Sequence, residues 1–203
     1  MKSVQVAVVT AGLSRPSSTR LLADRLAAAL VSRLEGARTV DVRVIELREL
    51  ATDIANNLVT GFPGTRLREA LRSGTDADAL IAVTPIFAAS YSGLFKSFFD
   101  VLDNAALVGK PVLIAATGGT ARHSLALEHA LRPLFSHLRA VVVPTAVYAA
   151  SDDWGRGDAT TADLAARIDR AAGELGALLL NRPPTSGRDE IVPFEEHLAA
   201  LRP

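Results

Sequence analysis

The chain of 203 residues contains no cysteine. Disulfide bonds, thiolate catalysis, iron–sulfur clusters and cysteine-ligated zinc are therefore excluded. Histidine is also scarce, with four in the whole chain. Because His123, His129 and His137 do not share a recognised metal-ligand spacing, we expect no metal site.

An excess of one charge is missing as well, since 22 lysines and arginines balance 22 aspartates and glutamates. Binding to nucleic acid or to an anionic membrane surface needs a basic excess, so neither is expected as a partner. No segment reaches the roughly 18 apolar residues that a membrane helix needs. The apolar stretch at 4–9 is short, β-branched and followed by a polar loop, which indicates a strand and not a signal peptide. We therefore expect a soluble, cytoplasmic protein.

The chain does contain a regular alternation of short β-rich apolar runs with longer helical stretches. This alternation predicts an α/β three-layer sandwich of the flavodoxin-like type, with a five-stranded parallel sheet in the order 2-1-3-4-5. We expect one domain over 1–182, followed by a tail at 183–203 for which an oligomer contact is one hypothesis. Strands are predicted at 4–9, 39–45, 79–83, 112–116 and 140–147, and helices at about 18–34, 65–73, 93–106, 123–138 and 161–181.

Between the second predicted strand and the next helix, residues 51–66 are predicted to form a loop. The pair Asn56-Asn57, together with Gly61, Pro63 and Gly64, supplies the residues that commonly break regular structure.

In this architecture a ligand binds at the carboxyl ends of the strands, where the strand order reverses. The loop after the first strand carries hydroxyl side chains and an arginine just before a helix, whose N-terminus exposes unpaired N–H groups. It matches neither a Walker A sequence nor Gly-x-Gly-x-x-Gly, so a monophosphate is the expected ligand. The alternative for Ser17 or Ser18 is a simple helix cap. The candidate residues are Gly12, Ser14, Arg15, Ser17, Ser18 and Thr19.

The loop after the third strand begins with Pro85, which is expected to help end the strand and to leave a stiff extended turn. Such a turn can direct backbone N–H groups at the edge of a flat ring. The following aromatics Phe95, Phe98 and Phe99 have helical spacing, so we assign them to packing. The candidate binding residues are Pro85, Ile86, Phe87, Tyr91 and Ser92.

The loop after the fourth strand has two glycines, which let backbone approach a ligand closely, flanked by threonines that can donate hydrogen bonds. A Gly-Gly pair alone is weak evidence because it is common in turns. The position of this pair after the fourth strand makes it stronger evidence for a binding loop. The candidate residues are Thr117, Gly118, Gly119, Thr120 and His123.

Two segments, Thr84-Pro85-Ile86-Phe87 and Tyr91-Ser92-Gly93-Leu94-Phe95-Lys96, resemble the second flavin loop and following helix of NAD(P)H-dependent FMN reductases. Thr117-Gly118-Gly119-Thr120 resembles their third flavin loop. Over most of its length the chain is similar to the FMN reductases that accompany luciferase-like monooxygenases, including the alkanesulfonate and methanesulfonate systems. The first loop departs from the common Gly-Ser opening, and alignment from the helix backwards places Ser14, Ser17 and Thr19 opposite phosphate-contacting positions.

The resemblance implies that FMN and NAD(P)H bind, that reduced FMN passes to a luciferase-like monooxygenase, and that the chain forms a homodimer or homotetramer. Because the two cofactors supply the redox chemistry, no catalytic side chain is expected. In the sulfonate-type reductases a matching helix has an inserted residue that makes a π-bulge. His129 corresponds to that residue, which implies a role in retaining flavin at the oligomer interface; a surface histidine beside Glu128 is the alternative.

Three other functions stay open at this point. A quinone, azo or chromate reductase on the same fold would keep its FMN bound. A flavodoxin-like electron carrier is disfavoured by the zero net charge, because such carriers are usually acidic. A flavin-free regulator would require that the three loops bind nothing.

Overall fold

The computed structural model describes residues 3–155 and 159–181. Within these ranges the strands are β1 (Val4–Thr10), β2 (Val40–Glu46), β3 (Ala79–Phe87), β4 (Ser90–Tyr91), β5 (Pro111–Gly118), β6 (Val141–Val142) and β7 (Val147–Ala150). The α-helices are α1 (Ser18–Leu34), α2 (Ala51–Thr60), α3 (Thr65–Asp76), α4 (Gly93–Asp100), α5 (Arg132–His137) and α6 (Ala159–Asn181). The predicted tail at 183–203 lies outside the described residues.

The sheet confirms the predicted flavodoxin-like order. Strands β2, β1, β3 and β5 lie side by side and parallel, and the outer position next to β5 is shared by β6 and β7. The fifth predicted strand is therefore split in two. Pro144 lies in the break, where its missing N–H cannot contribute to a ladder. β6 pairs with the start of β5 and β7 pairs with its end.

Two apolar clusters hold helices on both faces of the sheet. Valines 4, 6 and 8 of β1 pack with leucines of α1 and α6 on one face. On the other face, α4 and α5 contribute a group of phenylalanines in tilted and edge-on contact, in which the Phe95 and Phe99 ring centres are 4.8 Å apart. Phe95, Phe98 and Phe99 are all buried, so their assignment to packing is confirmed.

The predicted loop at 51–66 is wrong, because most of it is helix α2. Ile54 and Asn57 face the interior, and this packing outweighs the low helix propensity of the two asparagines. Among the predicted breakers, Gly61 does end the helix. It adopts a left-handed φ of 77°, and its N–H donates to the Asn57 carbonyl at 2.8 Å.

The prediction that Pro85 helps end the third strand is also wrong, since β3 continues to Phe87. Pro85 pairs with Thr117 of β5 on one side. On the side of β1, the last hydrogen bond joins the Ala11 N–H to the Val83 carbonyl, two residues before Pro85. Pro85 therefore occupies an edge position, where a missing N–H costs no ladder hydrogen bond. A two-residue turn with positive φ at Ala88 and Ala89, 46° and 68°, then reverses the chain into β4.

Two predicted helices also differ in extent. The helix predicted to end near residue 106 ends at Asp100, and a turn follows in which Asp103 Oδ1 accepts from the Ala105 N–H at 2.8 Å. The helix predicted at 123–138 is composite. A short 3₁₀ turn at Ala121–His123 precedes a π-helical turn at Leu127–Leu131, which continues into α5.

Candidate functional site

A cleft of about 380 Å³ opens at the carboxyl edge of the sheet, where β1, β3 and β5 end. All three predicted binding loops contribute to its wall, and a fourth segment after β7 completes it. Its lining residues are Leu13, Ser14, Ser18, Thr19, Pro85, Ile86, Phe87, Thr117, Gly118, Gly119, Ser151 and Trp154. Among the described residues, none of those that line the cleft is acidic, which suits an anionic ligand.

The first loop ends in a well-formed helix cap. Ser17 has extended backbone angles, and its Oγ accepts a hydrogen bond from the Arg20 N–H at 3.2 Å. Ser17 thus fills the capping role considered as the alternative for it, whereas Ser18 is exposed and lines the cleft. Because Ser18 and Thr19 are the first two residues of α1 and line the cleft, the N-terminus of this helix lies at the cleft. The unpaired N–H groups of a helix N-terminus can bind an anion.

A hydroxyl pair joins the first loop to the third beneath the cleft. Thr19 Oγ1 lies 2.8 Å from Thr117 Oγ1, and both residues are buried. A pair of hydroxyls holds two protons and uses one in the shared hydrogen bond. The second proton remains available to a ligand or to another acceptor.

Arginine side chains fix the first loop from outside. Arg20 and Arg48 both bind the Glu46 carboxylate, and Arg48 also donates to the Ser14 carbonyl at 3.0 Å. The hydrogen bond that Arg20 donates to the Asp24 carboxylate is the main factor that raises the pKa of Arg20. Arg15 projects into solvent and pairs with Glu49 at 3.1 Å, outside the cleft lining.

Gly12 is a point of close approach within the same loop. A Cβ atom added there would lie 2.0 Å from Ser17 Oγ and 3.1 Å from Thr19 Cβ. Only glycine allows the loop to fold this tightly against the start of α1.

The second loop is ordered by hydroxyl groups that face the protein and not the cleft. Thr84 Oγ1 donates to the Pro85 carbonyl at 2.9 Å and accepts from the Ser92 N–H at 3.1 Å. Ser92 is buried and caps α4, because its Oγ accepts from the Phe95 N–H at 3.2 Å. Phe87 stands half exposed at the rim of the cleft.

The third loop depends on Tyr148, a residue that sequence reasoning missed. The Tyr148 hydroxyl donates to the Thr120 carbonyl at 3.0 Å, and a Cβ at Gly118 would lie 2.0 Å from that hydroxyl. Burial raises the pKa of Tyr148, so its hydroxyl remains a donor at neutral pH. Apart from its chain neighbours, no described residue comes within 4 Å of a Cβ added at Gly119, which lines open space in the cleft.

The fourth wall, formed by Ser151 and Trp154, was also missed. The only signal in the sequence was a lone tryptophan in the loop after the last strand. Asp153 holds this turn, because its Oδ2 accepts from the Ala150 N–H at 2.7 Å and its Oδ1 pairs with Arg167 at 2.9 Å. Arg167 further donates to the Tyr148 carbonyl at 2.7 Å, which ties the turn to β7 and α6.

The predicted π-bulge is present in the helix that carries His129. The Arg132 N–H donates to the Leu127 carbonyl, five residues earlier, and His129 is exposed within this π turn. Pro133, one residue after Arg132, has no N–H for the His129 carbonyl, so a regular α-helical ladder is interrupted at this point. His129 and Tyr91 line a separate groove of about 430 Å³ between α4 and α5.

The structure therefore divides the predicted site residues into two sets. Those in the cleft are Ser14, Ser18, Thr19, Pro85, Ile86, Phe87, Thr117, Gly118 and Gly119. Those outside its lining are Gly12, Arg15, Ser17, Tyr91, Ser92, Thr120, His123 and His129. Gly12, Ser17, Ser92 and Thr120 support the loops, and His123 lies exposed in the turn after the third loop.

The cleft residues fit a flavin mononucleotide. The start of α1, with its hydroxyls, offers donors to a phosphate, and the open side of Gly119 leaves room for a flat ring beside the backbone. Two other clefts, each of about 470 Å³, border β2 and α3 and contain none of the loop residues.

In 3–155 and 159–181, no three or more histidine or acidic side chains are grouped so that they could hold a metal ion. No helix in that part of the chain combines enough length with enough apolar character to cross a membrane.

Comparison with known proteins identifies the family of the chain. Residues 4–155 match the family described as NADPH-dependent FMN reductase. The FMN reductase (NADPH) of Pseudomonas aeruginosa is 39% identical over 188 residues, covering 93% of this chain and 96% of the relative. The NADH-dependent FMN reductase SfnF of Pseudomonas fluorescens is 38% identical over 171 residues, covering 84% and 89%.

A solved structure of an oxidoreductase from Corynebacterium diphtheriae superposes with a TM-score of 0.87 at 46% identity, covering 90% of this chain and all of that one. The family match spans β1 through the turn that ends at Gly155, and so includes every segment of the cleft wall. The chain belongs to the NADPH-dependent FMN reductase family and is an oxidoreductase that acts on FMN with NAD(P)H.

Proposed function

We propose that this reductase supplies reduced FMN to a luciferase-like flavin-dependent monooxygenase, as one half of a two-component system. The observation that carries the proposal is the cleft in which the three loops meet at the carboxyl edge of the sheet. The motif resemblance to reductases of luciferase-like monooxygenase systems supports the identity of the recipient.

The side chains of the site act by binding and positioning. The α1 N-terminus with Ser14 and Ser18 would hold the phosphate, and the backbone of the second and third loops would orient the ring. When bound, FMN supplies the hydride-accepting chemistry, so the protein needs no acid or base. Tyr148 and Thr84 act indirectly, since each fixes the path of one loop.

Exposure around the cleft supports exchange of the flavin with solvent. Leu13 and Phe87 at the rim are 54% and 49% exposed, and Gly119 is exposed as well. A ligand held in so open a site is released more readily than one enclosed in the core, which suits FMN as a substrate that leaves after reduction.

The proposal is tested by mixing desalted protein anaerobically with FMN in at least tenfold excess, then adding NADPH or NADH and following the oxidised flavin band. We expect the entire excess of FMN to bleach, because reduced FMN leaves and oxidised FMN replaces it. Addition of a luciferase-like monooxygenase and its substrate under air should then yield oxidised product.

Bleaching of one equivalent alone would contradict the supply role and favour a reductase that retains its flavin for a second substrate. FMN binding without bleaching by either nucleotide would favour an electron carrier. The relatives above include one NADPH-dependent and one NADH-dependent enzyme, so both nucleotides are tested in parallel.

We also infer that the chain assembles into a homodimer or homotetramer. At the end of α2, Val59 and Phe62 are 88% and 81% exposed, and Leu58 beside them is half exposed. Three large apolar side chains within five residues form a patch of the kind that marks protein contacts. Light scattering should give a multiple of the 21.4 kDa chain mass, and Val59→Ser with Phe62→Ser should lower it; a monomeric wild-type mass would refute the inference.

A further inference from the structure

We propose that Trp154 forms a further wall of the FMN site beside its phosphate and ribityl end, with Arg25 stacked on the indole from outside the cleft lining. Trp154 would act by packing against the ligand, and Arg25 by its positive charge. The inference rests on the proposed function in so far as FMN is taken to bind in the cleft. Neither residue belongs to the three flavin loops.

The indole of Trp154 lies near the start of α1. Trp154 lines the same cleft as Ser14, Ser18 and Thr19, which surround the start of α1. The Arg25 guanidinium carbon lies 5.0 Å from the centre of the indole ring, over its face. Since Arg25 belongs to the second turn of α1, the indole is fixed beside the N-terminal half of that helix.

The turn that presents the indole is held firmly. Asp153 is largely buried, and its two carboxylate oxygens bind the Ala150 N–H and Arg167. A charged pair with both oxygens satisfied fixes the backbone of the turn directly before Trp154. A wall of this kind can contact a ligand without first paying an ordering cost.

The charge of Arg25 is available to the ligand. Among the residues that the structure describes, no carboxylate forms an ion pair with Arg25, in contrast to Arg15, Arg20 and Arg33. A phosphate monoester carries roughly two negative charges at neutral pH. A guanidinium stacked on a cleft-lining ring therefore adds to the attraction of the α1 N-terminus for this group.

A purely structural role for Trp154 must be separated from this one. The indole also packs against the apolar cluster formed by β1, α1 and α6. Trp154→Ala can therefore lower stability, whereas Trp154→Phe retains an aromatic wall and Arg25→Gln removes charge from an exposed position. The three variants together distinguish ligand contact from packing.

The test compares dissociation constants for FMN and for riboflavin, which lacks the phosphate, measured by quenching of flavin fluorescence. We expect Arg25→Gln to weaken FMN about three- to tenfold at low salt and to leave riboflavin unchanged, with the difference shrinking as salt screens the charge. Trp154→Ala should weaken FMN about tenfold or more, and Trp154→Phe should recover most of that loss. Arg43→Gln, an equal charge change on β2 outside the cleft, should alter neither constant.

Melting temperatures measured on the same samples show whether each variant is folded. Wild-type affinity for FMN in both Arg25→Gln and Trp154→Ala would overturn this inference while leaving the reductase function intact. Equal weakening of FMN and riboflavin by Arg25→Gln would overturn the role of its charge. Absence of FMN binding by the wild-type protein would instead refute the cleft as a flavin site.

Discussion

Replacement of Gly119 by alanine is expected to weaken FMN binding roughly 10- to 100-fold while leaving the melting temperature unchanged. Beyond its chain neighbours, an added Cβ at this position meets no described residue within 4 Å, so the folded protein without ligand accommodates it. Gly119 nevertheless lines the cleft, and its added methyl group would enter the space that the flavin ring needs. Overpacking of a filled site by one methyl group costs about 1–3 kcal/mol.

A matched control is available in Gly93, the first residue of α4. Outside its own helix backbone, an added Cβ there also meets no described residue within 4 Å, but Gly93 lies outside the cleft lining. Gly93→Ala should therefore retain wild-type FMN affinity and equal or slightly higher stability. If Gly119→Ala binds FMN as tightly as Gly93→Ala does, the third loop does not contact the flavin.

The sheet order and the location of the site were predictable because both depend on local patterns. Apolar runs such as 79–83 and 112–116 are long enough to identify buried parallel strands, and the fold then fixes which loops meet. Helix α1 was predicted at its observed bounds, since Ser17 and the apolar periodicity mark its start clearly.

The hydrogen bonds that hold the loops of the site could not be predicted, because they join residues that are far apart in the chain. Thr19 and Thr117 are 98 positions apart, and Tyr148 and Thr120 are 28 apart. No periodicity in the sequence encodes such pairs. The same limitation explains why α2 was interpreted as a loop: contacts with α4, invisible in the sequence, stabilise a segment that contains two asparagines.

Two independent reasons account for the π turn at Leu127–Leu131, a family resemblance and a local physical cause. The family pattern indicated an inserted residue at His129, and Pro133 supplies an independent reason for a broken α-helical ladder. The turn places His129 in the groove between α4 and α5 and away from the cleft. A role for His129 in flavin retention would therefore have to operate through assembly and not through contact within one chain.

Replacement of Gly12 by alanine is expected to lower the free energy of unfolding by about 2 kcal/mol and to reduce FMN affinity by at least about tenfold. The new Cβ would lie 2.0 Å from Ser17 Oγ, so the serine has to move and α1 loses its cap. Both effects share one cause, because the helix start that Ser17 caps is also the expected phosphate site.

The cause can be isolated by combining Gly12→Ala with Ser17→Gly. Removal of the Ser17 side chain eliminates the contact at 2.0 Å, and glycine at a cap position costs only a few tenths of a kcal/mol relative to serine. The contact with Thr19 Cβ at 3.1 Å remains, so we expect the double variant to recover at least half of the lost stability. Urea denaturation of the wild type, both single variants and the double variant gives the coupling energy between the two positions. Additive losses would mean that Ser17 is not the group that excludes a side chain at position 12.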